Sequence, residues 1–260
     1  MTGRFLVDAS GRGAPAGATH VPGRRWLRAD RLVALLGTMS APVRAIEPAL
    51  VLEADEEGWW YSVPQPDGGL LVALVTDADL LPERGRSGLV AHFSARLSLS
   101  PHTAARSAGG SLTAPPWIAR ADSGLLLPDR GLGWRALGDA AMACDPLAGD
   151  GVARAMRTSL EAAPEIDRLI ADPAAAGMGA TETSQRFGAY LESRGRYYDS
   201  EARWPRAPFW ARRRPMDWKA APLFLGPLHV LRWDGAPLTR DAAAPVEALL
   251  PPSAVRALLG

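Results

Sequence analysis

A chain of 260 residues with 47% hydrophobic residues and a formal net charge of +1 has the composition of an ordinary globular protein, and it gives no reason to expect nucleic acid or an anionic membrane as a partner. Its single cysteine, Cys144, excludes an internal disulfide framework, and no apolar stretch approaches the length of a membrane span or has the form of a signal peptide. We therefore expect a protein of the cytoplasm, with no nucleic acid and no membrane among its partners.

The first half of the chain shows mainly strand patterns. Residues 5–13 predict a strand that enters a glycine turn, and residues 31–39 predict a buried strand or a short helix. Three further strands are predicted at residues 43–53, 59–64 and 70–76, and residues 65–69 between the last two are a hairpin signal. This succession predicts an antiparallel sheet.

The second half mixes helices with short strands. Helical patterns occupy residues 89–99 and 101–108, and strand patterns follow at residues 117–121, 125–127 and 133–137. Residues 151–171 and 181–201 predict two long helices, and residues 242–259 predict an apolar helical segment in the tail.

The most informative stretch joins the strand at residues 133–137 to the helix that starts at residue 151. It holds Gly138 and Asp139, then a loop with Pro146, Gly149 and Gly151. Glycines let the backbone approach a ligand closely, and a helix start offers unpaired N–H groups with a partial positive charge. The carboxylate of Asp139 can accept hydrogen bonds from the hydroxyl groups of a sugar or polyol. We therefore predict a cofactor site here.

Gly138-Asp139-Ala-Ala, then Pro146, then Gly149-x-Gly151 opening a helix, resembles the second flavin motif of FAD-dependent monooxygenases of the hydroxybenzoate hydroxylase and flavin halogenase type. The resemblance implies FAD as the cofactor, with Asp139 contacting its ribityl chain. It also implies that the loop with Pro146, Gly149 and Gly151 lies against the isoalloxazine ring, while the helix N-terminus faces the pyrimidine edge.

A second motif lies near the start of the chain. Asp8-Ala9-Ser10-Gly11-Arg12 resembles the Asp-Ala-Thr-Gly-Arg signature of the same family, with Ser10 in place of the threonine. In that family the signature forms part of the wall of the flavin domain. The resemblance therefore makes Asp8, Ala9 and Gly11 candidate neighbours of the cofactor.

The halogenase fingerprint Trp-x-Trp-x-Ile-Pro corresponds to Trp59-x-Tyr61-x-Val63-Pro64 in this chain, and the one lysine, Lys219, lies in the tail. In the family's halogenases a lysine upstream of anything present in this chain carries the activated halogen, so the resemblance does not favour halogenase activity. We expect the aromatic residues of this strand to pack in a core.

The aromatic and proline-rich residues 204–214 resemble a segment of flavoproteins close to the halogenases, some of which mature quinone cofactors in partner oxidases. The resemblance implies a flavin-dependent maturase as an alternative function, with a protein as its substrate.

The family's FAD domain begins with a strand, a Gly-x-Gly-x-x-Gly turn and a helix that hold the ADP pyrophosphate, and this chain has no such unit ahead of the Asp8 motif. Three explanations stay open: a truncated reading frame, a split enzyme completed by an N-terminal partner polypeptide, and a non-catalytic remnant. The resemblance implies that residues 1–20 and 133–172 are the remnant of the FAD domain, residues 21–132 the substrate-binding sheet domain, and residues 173–260 a helical C-terminal region.

The expected fold is α/β, with an antiparallel substrate-domain sheet, the C-terminal part of a Rossmann-like FAD domain and a helical C-terminus. The resemblance implies an FAD-dependent oxidoreductase, a monooxygenase that acts on an organic substrate through a flavin hydroperoxide. The alternatives are the maturase and an accessory binding module that is partner-dependent or non-catalytic. No catalytic acid or base is identified, and the scattered residues His20, His92, His102 and His229 predict no metal site.

Overall fold

The computed structural model describes residues 3–12, 24–40, 48–82, 85–172 and 181–214. The strands are β1 (Leu6–Asp8), β2 (Arg25–Arg28), β3 (Leu32–Met39), β4 (Val51–Asp55), β5 (Gly58–Pro64), β6 (Leu70–Asp77), β7 (Trp117–Arg120), β8 (Gly124–Leu127), β9 (Arg130–Gly131), β10 (Trp134–Ala136) and β11 (Met142–Ala143). The helices are α1 (Arg86–Ser98), α2 (Pro101–Ser107), α3 (Gly151–Ala171), α4 (Thr181–Asp199) and α5 (Pro208–Ala211). Short 3-10 turns occupy Ala78–Leu80, Gly138–Ala140 and Pro146–Ala148. The helical segment predicted at residues 242–259 lies outside the described residues.

The α/β fold class is confirmed, with antiparallel sheets and helices in the described residues. The ambiguous segment at residues 31–39 is a strand, β3, because its backbone pairs with β6 on one side and with β7 on the other. No helix in the described part of the chain combines the length and the apolar character that crossing a membrane requires.

The chain divides into two compact units. Unit 1 comprises Met1–Asp30, Asp122–Arg194 and Pro215–Gly260, and unit 2 comprises Arg31–Ala121 and Gly195–Arg214. The strand β2 pairs with β8 inside unit 1. The assignment of the regions to FAD-binding and substrate-binding domains stays a prediction.

Unit 2 is built on one antiparallel sheet with the strand order β4-β5-β6-β3-β7. The predicted hairpin joins β5 to β6, and Gly68 adopts a φ of +85° in its turn, a conformation that favours glycine. Trp60 lies in the core, with its ring edge-on to Phe93 at a centroid distance of 5.2 Å. Of the aromatic residues of this strand, Trp59 and Trp60 are buried as expected, whereas Tyr61 is only half-buried.

Unit 1 contains two small sheets among its described residues, with the orders β1-β10-β9 and β11-β8-β2. The pairing of β1 with β10 is parallel, whereas the pairings of β9 and of the second sheet are antiparallel. Trp26, Leu126 and Trp134 belong to one hydrophobic cluster of this unit, and Leu27, Leu125 and Cys144 belong to another.

Candidate cofactor site

Two predicted motifs meet where β1 and β10 end. The strands are parallel, with Leu6 opposite Trp134 and Asp8 opposite Ala136. The two segments that follow these strands therefore leave the sheet at the same edge. The N–H of Leu137 donates to the C=O of Asp8 at 2.8 Å and extends the pairing by one residue. In α/β folds, ligands bind at the carboxyl edge of parallel strands. The fold therefore places residues 9–12 and residues 137–151 at one edge.

Gly138 is required by the close approach of α3. Its φ is +57°, and a Cβ added there would lie 3.1 Å from the Cβ of Ala155. Any larger residue would therefore be strained and would press the 3-10 turn away from the helix. This contact fixes the next residue, Asp139, whose side chain remains 27% exposed.

The loop from Asp145 to the start of α3 presents its backbone to open space. Asp145 accepts a hydrogen bond from the N–H of Leu147 at 2.9 Å, and Pro146 begins the 3-10 turn that this contact caps. Gly149 has a φ of +64°, and no atom lies within 4 Å of a Cβ built there. Gly151 begins α3, and the nearest atom to its added Cβ is a guanidinium nitrogen of Arg154 at 4.0 Å. A ligand can thus approach the backbone and the N-terminus of a 21-residue helix.

Two arginines hold the Asp139 carboxylate. Nε of Arg12 donates to Oδ2 at 3.1 Å, and Nη2 of Arg154 donates to Oδ1 at 2.7 Å. Arg154 also pairs with Asp150, one helical turn before it, at 2.9 Å. An ionised carboxylate offers about four lone-pair positions, so Asp139 keeps acceptor capacity on its exposed side.

Arg12 connects segments that are far apart in sequence. Besides Asp139, its guanidinium donates to the backbone C=O of Asp122 at 2.6 Å and to the C=O of Cys144. Sequence reasoning did not select Arg12 or Arg154 as site residues. Arg12 could have been identified from the sequence, since it is the last residue of the Asp8 motif. For Arg154 the sequence offers only its position four residues after Asp150.

The Asp8 side chain lies in the interior, and its exposed fraction is only 1%. It accepts hydrogen bonds from the N–H and the hydroxyl of Ser10, at 3.1 and 2.5 Å, and it pairs with Arg24 at 3.5 Å. Burial lowers the pKa of Arg24 although the Asp8 carboxylate raises it. Asp8 therefore shapes the turn after β1, while Ala9 is exposed and Gly11, with a φ of +76°, has open space at its Cβ position. The cofactor contacts assigned to these three residues stay a prediction.

Beneath the loop lies an apolar layer with one polar support. Cys144 is buried among Leu27, Leu125, Met142 and Phe187, and burial raises the pKa of its thiol to about 12. The hydroxyl of Tyr190 accepts from the N–H of Asp145 at 2.7 Å and lies 2.7 Å from the Ser123 hydroxyl. Burial raises the pKa of Tyr190 as well. The position of the loop is therefore set in part by apolar packing around Cys144 and by a neutral tyrosine.

No group of three or more His, Cys, Asp and Glu side chains in the described ranges is arranged to hold a metal ion. At this edge the described residues offer a ligand one carboxylate, two guanidinium groups and the backbone of a glycine loop.

No protein-family model matches the chain. Over 214 residues it is 30% identical to the candidate FAD-dependent oxidoreductase LodB of Marinomonas mediterranea, a match that covers 80% of this chain and 56% of LodB. It is 27% identical over 172 residues to the tryptophan 2-halogenase of Chondromyces crocatus, which covers 64% of this chain and 33% of the halogenase.

Two solved structures have similar folds. The flavin-dependent halogenase CmlS matches 82% of this chain and 40% of its own length with a TM-score of 0.68 and 23% identity. The peptidyl tryptophan dihydroxylase QhpG, essential for tryptophylquinone cofactor biogenesis, matches 82% of this chain and 48% of its own with a TM-score of 0.66 and 29% identity. The chain thus spans about half the length of LodB and of QhpG.

Proposed function

Since the chain belongs to the superfamily of FAD-dependent oxidoreductases that includes the flavin-dependent halogenases, we propose that it is a flavin-dependent monooxygenase, or the part of one that carries the second flavin motif. The observation that carries this proposal is the arrangement of Asp139 and the 146–151 loop at the edge where β1 and β10 end.

The residues present fit a flavin. Open space in front of Gly11 and Gly149 leaves room for a flat ring against the backbone, and the exposed side of Asp139 can accept hydrogen bonds from the hydroxyls of a ribityl chain. The N-terminus of α3 offers N–H donors to an electron-rich edge of the ring. When bound and reduced, the flavin supplies the electrons that activate dioxygen.

The chain's own residues position and enclose that chemistry. Arg12 and Arg154 fix the direction of the Asp139 carboxylate before a ligand arrives, so little ordering remains to be done on binding. The apolar layer around Cys144 keeps water from the underside of the loop. Because no acid or base in the described residues has a defined role at this edge, we assign no catalytic residue.

Flavin titration of Asp139→Asn tests the proposal. The substitution keeps the shape of the side chain but removes the charge that both arginines pair with, and we expect the Kd for FAD to rise by about tenfold or more. Asp167→Asn, an exposed position near the far end of α3, is the matched control and should bind FAD as the unaltered chain does. The measurement is the perturbation of flavin absorbance.

Equal FAD affinity in the Asp139→Asn and control proteins would contradict the proposed site. A chain that stays colourless with added FAD would instead favour the alternative of a partner-dependent or non-catalytic module.

A second candidate function is maturation of a protein substrate. It is supported by the 29% identity to QhpG, a peptidyl tryptophan dihydroxylase, compared with 23% to the halogenase CmlS. The test offers the reduced, FAD-loaded protein either a tryptophan-containing polypeptide or free tryptophan and follows each by mass spectrometry. A gain of oxygen by the polypeptide alone supports maturation, and a gain by free tryptophan alone contradicts it.

A further inference from the structure

One face of α4 carries an apolar ring, a phenol and a guanidinium in succession. Phe187, Tyr190 and Arg194 are separated by three and four residues, so their side chains lie on the same side of the helix. Phe187 packs in the buried cluster that contains Cys144, and its ring stacks on that of Tyr190 at a centroid distance of 5.8 Å. The apolar end of this face therefore brings the Tyr190 hydroxyl beneath the loop of the candidate site.

The peptide bond between Cys144 and Asp145, where the loop begins, is held at both of its polar groups. Its C=O accepts a hydrogen bond from the guanidinium of Arg12, and its N–H donates to the hydroxyl of Tyr190 at 2.7 Å. A planar peptide carries only these two polar groups, so a rotation of the plane would break one contact or both. The loop therefore starts from a fixed backbone orientation.

The two contacts are supported by consecutive residues just before β8. Arg12 also donates to the C=O of Asp122 at 2.6 Å, and the Tyr190 hydroxyl lies 2.7 Å from the hydroxyl of Ser123. Asp122 and Ser123 are both buried. The hydrogen bonds thus form a closed ring that joins the backbone before β8 to the backbone at the start of the loop.

Arg194 fixes Ser123 as the partner of Tyr190. Its Nη1 donates to the Ser123 hydroxyl at 3.1 Å and pairs with Asp30, whose Oδ1 accepts from the N–H of Ser123 at 3.1 Å. A guanidinium and a backbone N–H can only donate, so the hydroxyls of Ser123 and Tyr190 each accept one hydrogen bond from such a donor and share one between them. The side chains of Arg194 and Asp30 are only 12% and 8% exposed, so water competes little with these contacts.

We propose that Tyr190, oriented by Ser123 and Arg194, is a positioning residue for the loop that meets the flavin. Its hydroxyl and the guanidinium of Arg12 hold one peptide from opposite ends, so the turn at Pro146 and the start of α3 follow in a set direction. A loop without this support has to be ordered when a ligand binds, which costs affinity. That the ligand is a flavin rests on the proposed function, whereas the effect of Tyr190 on the loop does not.

Hydrogen exchange of the full 260-residue chain without FAD tests the effect on the loop. Tyr190→Phe keeps the ring that packs on Phe187 but removes the acceptor of the Asp145 N–H. We expect the amides of residues 145–151 to exchange about tenfold faster or more, and the amides of β8 to speed up by a smaller factor. Tyr197→Phe, at a residue 68% exposed on the same helix, is the control and should change exchange less than about twofold.

Ser123→Ala tests the support of Tyr190 separately. It keeps the contact between Tyr190 and Asp145 but removes the hydroxyl that links Tyr190 to Arg194, so loop exchange should rise by about threefold. In the Tyr190→Phe background the same substitution should add less than about 1.5-fold, because the two residues act through one chain of contacts. Ser123→Ala also carries the test if Tyr190→Phe does not fold.

A titration with FAD then measures what the positioned loop contributes to the cofactor. Tyr190→Phe should raise the Kd for FAD by about fivefold or more, and Tyr197→Phe should leave it unchanged. Tyr190→Phe should also alter the visible circular dichroism of the bound flavin, a signature of the ring's surroundings that a loss of overall stability does not move.

The proposal is overturned if Tyr190→Phe speeds exchange in residues 145–151 and in β8 by the same factor, since Tyr190 then contributes only to overall stability. An effect of Ser123→Ala that is equal in both backgrounds overturns it as well, and so does a bound flavin with unchanged Kd and circular dichroism in Tyr190→Phe. If the unaltered chain binds no FAD, the proposed function fails, and the exchange comparison alone then supports or overturns the role of Tyr190 in the loop.

Discussion

The five-stranded sheet of unit 2 and the parallel strand pair of unit 1 differ in how their strands are connected and in the contacts that stabilise them. In the first, β5 and β6 follow each other through a short turn, and Trp60 and Phe93 fill a core that is closed to solvent. In the second, three-residue strands meet from opposite ends of the sequence, and the loops beyond them are tied by the guanidinium of Arg12. The difference teaches that the candidate site adds the charged contacts of Arg12 to the apolar layer beneath its loop, whereas the core around Trp60 in unit 2 rests on apolar burial.

Replacing Trp60 by alanine tests whether apolar burial stabilises the sheet of unit 2. The side chain is fully buried, so its loss removes apolar contacts and leaves a cavity that costs about 4 kcal/mol of unfolding free energy. Trp117→Ala, in the same sheet but 44% exposed, should cost less than about 1 kcal/mol. Denaturant unfolding with hydrogen exchange of the β5 and β6 amides measures both, and equal costs would contradict closure of this core.

Arg12→Met tests whether the hydrogen bonds of Arg12 stabilise the candidate site in unit 1. The substitution keeps much of the aliphatic length but removes donors to Asp139 and to the C=O groups of Asp122 and Cys144, and we expect a loss of about 3 kcal/mol. Arg203→Met, at a side chain 62% exposed in unit 2, should cost less than about 0.5 kcal/mol and serves as the control. A loss near that of the control would mean that apolar packing alone holds the loop.

The pKa of the Cys144 thiol measures how far water is excluded from the apolar layer beneath the loop of the candidate site. This pKa is raised from 9.0 to about 12 by burial, so the folded state holds this proton more tightly than the unfolded state. The resulting stability is fully present below pH 9 and falls as the pH rises towards 12.

From about pH 8 to about pH 10, the unaltered chain should therefore lose about 1.4 kcal/mol more unfolding free energy than Cys144→Ala. Urea unfolding of both proteins across this range measures the difference. Parallel losses in the two proteins would show that the thiol is solvated.

Sequence patterns predicted what is local. The hairpin between β5 and β6 was predicted because alternation and a glycine turn stand side by side, and Gly138, Asp139, Pro146, Gly149 and Gly151 were placed in one strand-to-helix loop because they are contiguous. The structure brings them together at one edge, as expected, while their contacts with FAD stay a prediction.

What the sequence could not predict is non-local. Strands of three residues carry no usable periodicity, so nothing in the pattern indicates that β1 pairs with β10. Arg12 lies 127 residues from Asp139 and 132 from Cys144, and no spacing rule links such positions. The burial of Asp8 and its bond to Ser10 were equally beyond the reach of spacing rules, while its place beside the cofactor stays a prediction.

The long sequence separation between Arg12 and its partners also determines which contacts can form first during translation. Its partners at Asp122, Asp139 and Cys144 leave the ribosome more than 100 residues after it does, and residues 31–121 of unit 2 are made in between. Local strand pairs form before distant ones because closing a long loop costs more entropy. The sheet of unit 2 can thus form during translation, while β1 and Arg12 stay without their partner segments until those segments are made, an interval in which an unpaired strand edge favours wrong pairings.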